Sequence, residues 1–262
     1  MEDLRECRIK MKDIMPEREW QKSGLTCLAA RPGMGKTALA LDFMLDAVLW
    51  MGKPILWFSL EMSTIQMAAR VISNVSGTSE KISEENLSTL DKQKLEAAAD
   101  FLENTEVLID DTPAISVSEV EEKVKELEDV GLVVIDYVQL MKADDTTEFK
   151  NRKEEAQYIV KNLSRIAKER QVPILMLAQL TRSIDYREDK RPCLDDLHRD
   201  IVPEDVDQVI FLYREGYYER CDSKEKSRKD SAEIILAKSK SGVIKTVRAQ
   251  FNQDSYSFEK AI

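Results

Sequence analysis

The chain holds a single histidine, His198, and four cysteines, Cys7, Cys27, Cys193 and Cys221, with no C-x-x-C pair among them. So sparse a supply of imidazole and thiolate excludes a His/Cys metal centre, and unpaired thiols point to a reducing, cytoplasmic compartment. Long apolar runs are also missing. The opening "MEDLRECRIKMKDIMPEREW" has no continuous apolar core of the kind a signal peptide needs, and no later run approaches the length of a membrane span. Positive charge is in deficit: 39 Lys and Arg stand against 49 Asp and Glu, a formal net charge of -10. A broad basic face is therefore excluded, and any contact with nucleic acid must be local.

What the chain does have is enough apolar material, 43% of 262 residues, to bury one sizeable core. The runs "LTCLAA", "PILWFSL", "EVLI", "LVVIDYV" and "PILMLAQ" read as buried strands. Between them "KTALALDFMLDAVLW", "TIQMAARVISNV", "DKQKLEAAADFLEN" and "SVSEVEEKVKELED" place apolar residues at helical spacing, which predicts crossover units around a mostly parallel sheet. The longest predicted helix is "EFKNRKEEAQYIVKNLSRIAKER", with Ala156, Ile159, Val160, Leu163, Ile166 and Ala167 on one stripe. After Pro192 the strands "DVDQVIFLY", "SAEIILAK", "TVRAQFN" and "SYSFE" are joined without helices, so antiparallel members are expected at the C-terminal end. The polar "EGYYERCDSKEKSRKDS" reads as a mobile loop. Residues 1–24 read as an arm or linker remnant and residues 25–262 as one α/β domain.

The stretch Ala30 to Thr37, "ARPGMGKT", matches G-x-x-x-x-G-K-[ST] except that alanine replaces the first glycine. It sits between a predicted strand and a predicted helix, where a phosphate loop belongs. Gly33 and Gly35 let successive backbone amides face an anion, and the helix N-terminus adds positive potential. On this reading Arg31, Pro32, Gly33, Met34, Gly35, Lys36, Thr37 and Ala38 surround a triphosphate, Lys36 neutralises it, and Thr37 ligates Mg²⁺. Three further polar residues end apolar runs. Asp136 closes "LVVID" and suits the metal; Glu61 follows "WFSL", on a strand expected to neighbour the phosphate-loop strand, and suits a general base; Gln179 closes "ILMLAQ" and suits a γ-phosphate sensor. Each also has a plain alternative: a strand-ending cap for Asp136, an acid at a helix start for Glu61, a satisfied buried amide for Gln179.

The blocks "AARPGMGKTALAL", "FSLEMS", "VVIDYVQLM", "NRKEEAQYIVKNLSRIAKER", "LAQLTRSID", "DKRPCLDDL" and "DVDQVIFLYR" come in the order of the C-terminal motor domain of DnaB-type replicative helicases, which the chain resembles from about Leu25 to Phe258. The resemblance implies a RecA-like core and a P-loop NTPase that binds ATP and Mg²⁺. It implies a homo-oligomeric ring, a hexamer, with ATP sites between subunits, single-stranded DNA in its channel and other replication proteins as partners. It assigns Lys36 and Thr37 to the phosphate loop, Glu61 to catalysis, Asp136 to the metal and Gln179 to sensing. A lysine and an arginine in an A-K-Q-R-N-G segment complete the neighbour's site in the family; here "AKSKSG" puts Lys238 and Lys240 there. Ammonium offers a point charge where guanidinium offers a planar fork.

The channel loop departs as well. "LHRDIVPEDVD" is one residue shorter than the family's L-R-E-S-G-A-I-E-Q-D-A-D and lacks its serine-glycine pair, while Arg199 keeps a cation for phosphate and Pro203 removes a donor. A second basic cluster, Lys150, Arg152 and Lys153, lies where the family places a channel-facing loop. The expectation is an ATP-driven helicase motor. The alternatives are a RecA-like regulatory or interaction module that has lost unwinding, and a filament-forming recombination-type ATPase.

Overall fold

The structure, a computed structural model, describes residues 7–16, 24–79, 86–144, 148–197, 201–219 and 229–261. Strands β1 (Gly24–Ala30), β2 (Ile55–Ser59), β3 (Val107–Asp110), β4 (Leu132–Asp136), β5 (Pro173–Gln179), β6 (Gln208–Tyr213), β7 (Lys229–Lys238), β8 (Lys245–Asn252) and β9 (Ser257–Lys260) form one sheet. Their order is β3-β2-β4-β5-β1-β6-β7-β8-β9. From β3 to β6 all pairings are parallel, and from β6 to β9 all are antiparallel. This is the α/β class the alternation of runs predicts, antiparallel members included.

The helices are α1 (Met11–Ile14), α2 (Lys36–Met51), α3 (Thr64–Ser76), α4 (Thr89–Glu103), α5 (Val117–Glu126), α6 (Arg152–Glu169) and α7 (Glu215–Glu219). Because side chains alternate along a strand, the central strands feed two cores. Leu28, Val134, Leu175 and Leu177 face the side covered by α2 and α3, while Cys27, Val133, Ile135 and Met176 face α5 and α6. Strands covered on both faces need no polar alternation, which is why they read as continuous apolar runs. The predicted stripe on α6 is the buried one at Ile159, Val160, Leu163, Ile166 and Ala167. Helix starts are set by short side chains: Ser63, Ser88 and Ser116 each accept the amide of the third helical residue.

Residues 7–15 of the expected arm pack against the sheet. Ile9 N–H donates to Phe258 O at 2.9 Å and Lys260 N–H to Cys7 O at 2.7 Å, extending the sheet beyond β9. Ile9, Met11, Ile14 and Met15 are buried in the core shared with α2. A buried Arg8 guanidinium reaches Asp42 on α2 at 3.2 Å and contacts the Asn74 side chain and carbonyl on α3.

Two local expectations need correction. The strand preceding Glu61, β2, does not adjoin β1; β4 and β5 lie between them. The cause is the crossover: α2 leaves β1, passes over β5 and β4 and delivers the chain to β2, so sequence neighbours are separated in the sheet. The segment "EGYYERCDSKEKSRKDS" is not a loop at its ends, because Glu215–Glu219 is helical and Lys229 onward belongs to β7; residues 220–228 lie outside the described residues.

Candidate functional site

The C-terminal edge of the parallel strands is where Lys36, Thr37, Asp136 and Gln179 stand, with Glu61 beside them. After Ala30 the chain turns through Gly33 and Gly35, at φ 76° and 96°, conformations in which a side chain is strained, and enters α2 at Lys36. Phe251 and Phe258 back this turn: a Cβ on Gly35 would lie 3.2 Å from the Phe258 ring. The loop is thus fixed from behind by the antiparallel wing.

Lys36 is buried, and its Nζ donates to Ala30 O at 3.4 Å. Burial lowers its pKa from the usual lysine value; the Asp136 and Glu61 carboxylates pull the other way. Thr37 Oγ1 donates to Asp136 Oδ2 at 2.8 Å. Asp136 is 4% exposed, and burial pushes its pKa up to about 6 against the Thr37 hydroxyl and the Lys36 ammonium, with Glu61 adding to the rise. Both shifts reverse when an anion lies against Lys36 and a cation against Asp136, the charge pattern of a magnesium triphosphate. A hydroxyl and a carboxylate oxygen side by side are the hard donors that Mg²⁺ prefers. The residues present therefore fit both groups.

Glu61 acts electrostatically on Lys36, Asp136 and Tyr137 although its strand is remote from β1. Ser59 pairs with Asp136 across β2 and β4, and Leu60 N–H donates to Asp136 O at 2.8 Å, so Glu61, which follows β2, stands beside the end of β4. Its alternative role weakens here: α3 is capped by Ser63 with Gln66, while Glu61 stands exposed before the cap. Gln179 lies opposite Ala30 in the β1–β5 register. Its side chain hydrogen-bonds the Tyr137 hydroxyl, and its backbone is held by Gln139, whose amide accepts from Gln179 N–H and donates to Gln179 O, both at 3.3 Å.

Arg31 turns away from the phosphate position. Its guanidinium grips Asp185 at 3.1 and 2.8 Å and donates to Leu180 O at 3.0 Å, tying the phosphate loop to the segment that follows Gln179. Arg152 likewise donates to Gln139 O and Met141 O at 2.9 and 3.0 Å and pairs with Glu155 at 2.6 Å, so it shapes the turn after β4. Lys150 and Lys153 are exposed beside it. Arg199 lies outside the described residues.

Lys238 and Lys240 are at the other edge of the sheet. Lys238 pairs with Val209 at the start of β6, and its Nζ donates to Pro203 O and Val206 O at 2.6 and 2.7 Å. Lys240 is 3.5 Å from Asp207, and its Nζ is 2.8 Å from where a Gly24 Cβ would be. Gly24 and Ala30 are the two ends of β1, roughly 20 Å apart at the usual strand rise. Neither lysine reaches the phosphate loop of its own chain.

Sequence reasoning passed over Gln139, Tyr137, Asp185 and Arg214. Gln139 and Tyr137 sit in the quoted "VVIDYVQLM" and Asp185 in "LTRSID", but helical or strand periodicity gives no sign that their side chains fold back on Gln179 and Arg31. Arg214 carried a readable signal, an arginine directly closing the apolar run of β6.

The sequence profile of the family described as DnaB-like helicase C terminal domain matches residues 16–260. Among curated proteins, the replicative DNA helicase DnaB of Geobacillus stearothermophilus is 35% identical over 246 residues, 91% of this chain and 53% of that protein. A probable replicative DNA helicase of Trieres chinensis is 38% identical over 245 residues, again 91% of this chain and 53% of that one. The chain thus spans about half the length of these relatives. A solved DnaB-like replicative helicase, described with its interactions with primase, superposes at TM-score 0.81 and 28% identity over 93% of this chain and 58% of that one. A second solved structure, described as an ATPase domain, superposes at TM-score 0.84 and 28% identity, over 96% of this chain and 89% of that one. The fold is RecA-like, as the sequence resemblance implies. On this evidence the chain belongs to the family of DnaB-like helicase C-terminal domains.

Proposed function

We propose that the chain is the motor of a replicative-type DNA helicase, which hydrolyses ATP to move along single-stranded DNA and separate a duplex. The observation that carries this reading is the Thr37 hydroxyl held 2.8 Å from the buried Asp136 carboxylate, next to Lys36 at the mouth of the glycine turn. Backbone amides between Arg31 and Ala38 cradle the phosphates, and the Lys36 ammonium neutralises the terminal ones. Thr37 and Asp136 hold Mg²⁺, which when bound supplies positive charge beside the phosphate oxygens.

Glu61 takes a proton from the attacking water; it is exposed enough to meet that water and close enough to Lys36 and Asp136 for their charges to interact. Gln179 donates its amide to the γ-phosphate, and the Arg31–Asp185 pair ties the phosphate loop to the segment that follows Gln179. Lys240 is the cation offered to the next subunit in a ring, since it is remote from its own chain's phosphates. Lys238 can join it only by leaving the carbonyls of Pro203 and Val206. Lys150 and Lys153, with Arg199, supply phosphate contacts to a single strand.

The lysine at 240 favours a second reading, an ATP-binding regulatory module without unwinding. A forked duplex with one labelled strand separates the two. The helicase reading predicts ATP-dependent strand release that Lys36→Ala abolishes. Nucleotide binding with no strand release at any protein concentration would instead establish the regulatory module.

A further inference from the structure

Among the described residues the Arg214 side chain is the most deeply buried charged one of its size, 1% exposed, and the hydrolysis chemistry above makes no use of it. It closes β6 and points into the back of the phosphate loop. One terminal nitrogen, Nη1, donates to Gly33 O at 3.3 Å and to Met34 O at 3.2 Å. The other, Nη2, and Nε bind Asp230 Oδ2 at 2.8 and 3.2 Å. The guanidinium plane lies 4.0 Å over the Phe251 ring.

The consequence follows from peptide geometry. In a trans peptide the carbonyl of one residue and the amide of the next belong to one plane and point in opposite directions. Drawing the Met34 carbonyl outward onto Arg214 therefore turns the Gly35 amide inward, toward the phosphate position beside Lys36. Sterics alone do not fix that orientation. Flipping the Met34–Gly35 plane changes ψ of Met34 and φ of Gly35, and glycine has no Cβ to forbid the flipped state. A flipped plane would present a carbonyl oxygen to the phosphate, so the loop needs a donor behind it to stay competent.

We infer that Arg214 is a positioning residue for nucleotide binding: held by Asp230, it locks the Met34–Gly35 peptide with its amide facing the triphosphate. The inference rests on the reading of the Lys36 loop as a nucleotide site. When the competent loop is only a fraction of the population, apparent affinity falls by that fraction, while turnover at saturation is unchanged because bound nucleotide selects the competent form. A residue that merely supports the fold would lower the melting temperature and leave affinity alone.

The test measures the dissociation constant of a fluorescent ATP analogue with Mg²⁺, the kcat and KM for ATP, and the melting temperature with and without nucleotide. It uses the whole chain, its Arg214→Met and Arg214→Lys variants, and Lys36→Ala as the control without phosphate charge. The expected result is a rise of about tenfold or more in dissociation constant and KM for Arg214→Met, with kcat within about threefold and a smaller nucleotide-induced melting shift. Arg214→Lys, which keeps the charge but offers fewer directed donors, should fall between. Unchanged affinity in a folded Arg214→Met protein overturns the inference even if its melting temperature drops. If that variant does not fold, Arg214→Lys decides in the same way: raised KM supports the assignment and native KM overturns it. Absence of nucleotide binding in the unaltered chain is a separate failure, of the nucleotide reading itself.

Discussion

Asp136 carries a cost that only its function explains. A carboxyl with a pKa of about 6, against 3.8 for the same group in water, binds its proton more tightly in the folded state than in the unfolded one. The stability it contributes is complete below the unfolded value and is lost as pH rises through about 6, leaving a cost of roughly 3 kcal/mol at neutral pH in the nucleotide-free chain. Replacement by Asn removes this linkage. Asp136→Asn should therefore gain stability relative to the unaltered chain on going from about pH 5 to pH 8, by roughly 1 to 2 kcal/mol in urea unfolding, while weakening magnesium-nucleotide binding. A stability difference independent of pH would show that Asp136 is not held in this state. A strand-ending acid is legible as a candidate metal ligand only in combination: Asp110 also closes an apolar strand and pairs with Lys123, whereas Asp136 meets the Thr37 hydroxyl of the glycine turn. Gln139 and Tyr137 were illegible for the opposite reason, since their roles depend on side chains folding across from β4 to β5, a contact no local pattern encodes.

At the scale of elements, the segment from Cys7 to Met15 is held by its buried apolar side chains, by backbone bonds to β9 and by Arg8, which reaches α2 and α3 through Asp42 and Asn74. Asp42 also accepts Phe258 N–H at 2.7 Å, yet burial pushes its pKa up to about 7 against the Arg8 guanidinium. Removing Arg8 leaves that carboxylate buried without its cation. Arg8→Met is expected to cost about 3 to 5 kcal/mol near pH 8 and less near pH 6, where Asp42 can take a proton instead. Chemical denaturation at the two pH values checks this, and a loss under about 1 kcal/mol at both would mean the segment is held by its apolar contacts alone. Most of the element sequence was legible, because buried strands read as apolar runs and amphipathic helices repeat at their own spacing, whereas α7 lay in a stretch read as loop. Strand order was not. β2 was expected beside β1, but order depends on how far α2 crosses the sheet, and periodicity along a chain is blind to that.

At the scale of the whole molecule, the proposed motor reading gives one chain half of two sites. Lys36, Thr37, Asp136, Glu61 and Gln179 gather at one edge of the sheet, while Lys240 stands roughly 20 Å away at the other, beside Gly24. β7 joins the two edges: Asp230 near its start holds the Arg214 that braces the phosphate loop, and Lys238 ends it. On the proposed reading hydrolysis is a property of the assembly, with single-stranded DNA setting how the subunits meet. The measurement that addresses this account most directly is steady-state ATP turnover with and without single-stranded DNA, for the unaltered chain and for Glu61→Gln. The account predicts turnover that DNA stimulates, and a loss of about 10² to 10⁴ in Glu61→Gln with nucleotide still bound. Equal rates with and without DNA, or a Glu61→Gln protein that turns over normally, would contradict it.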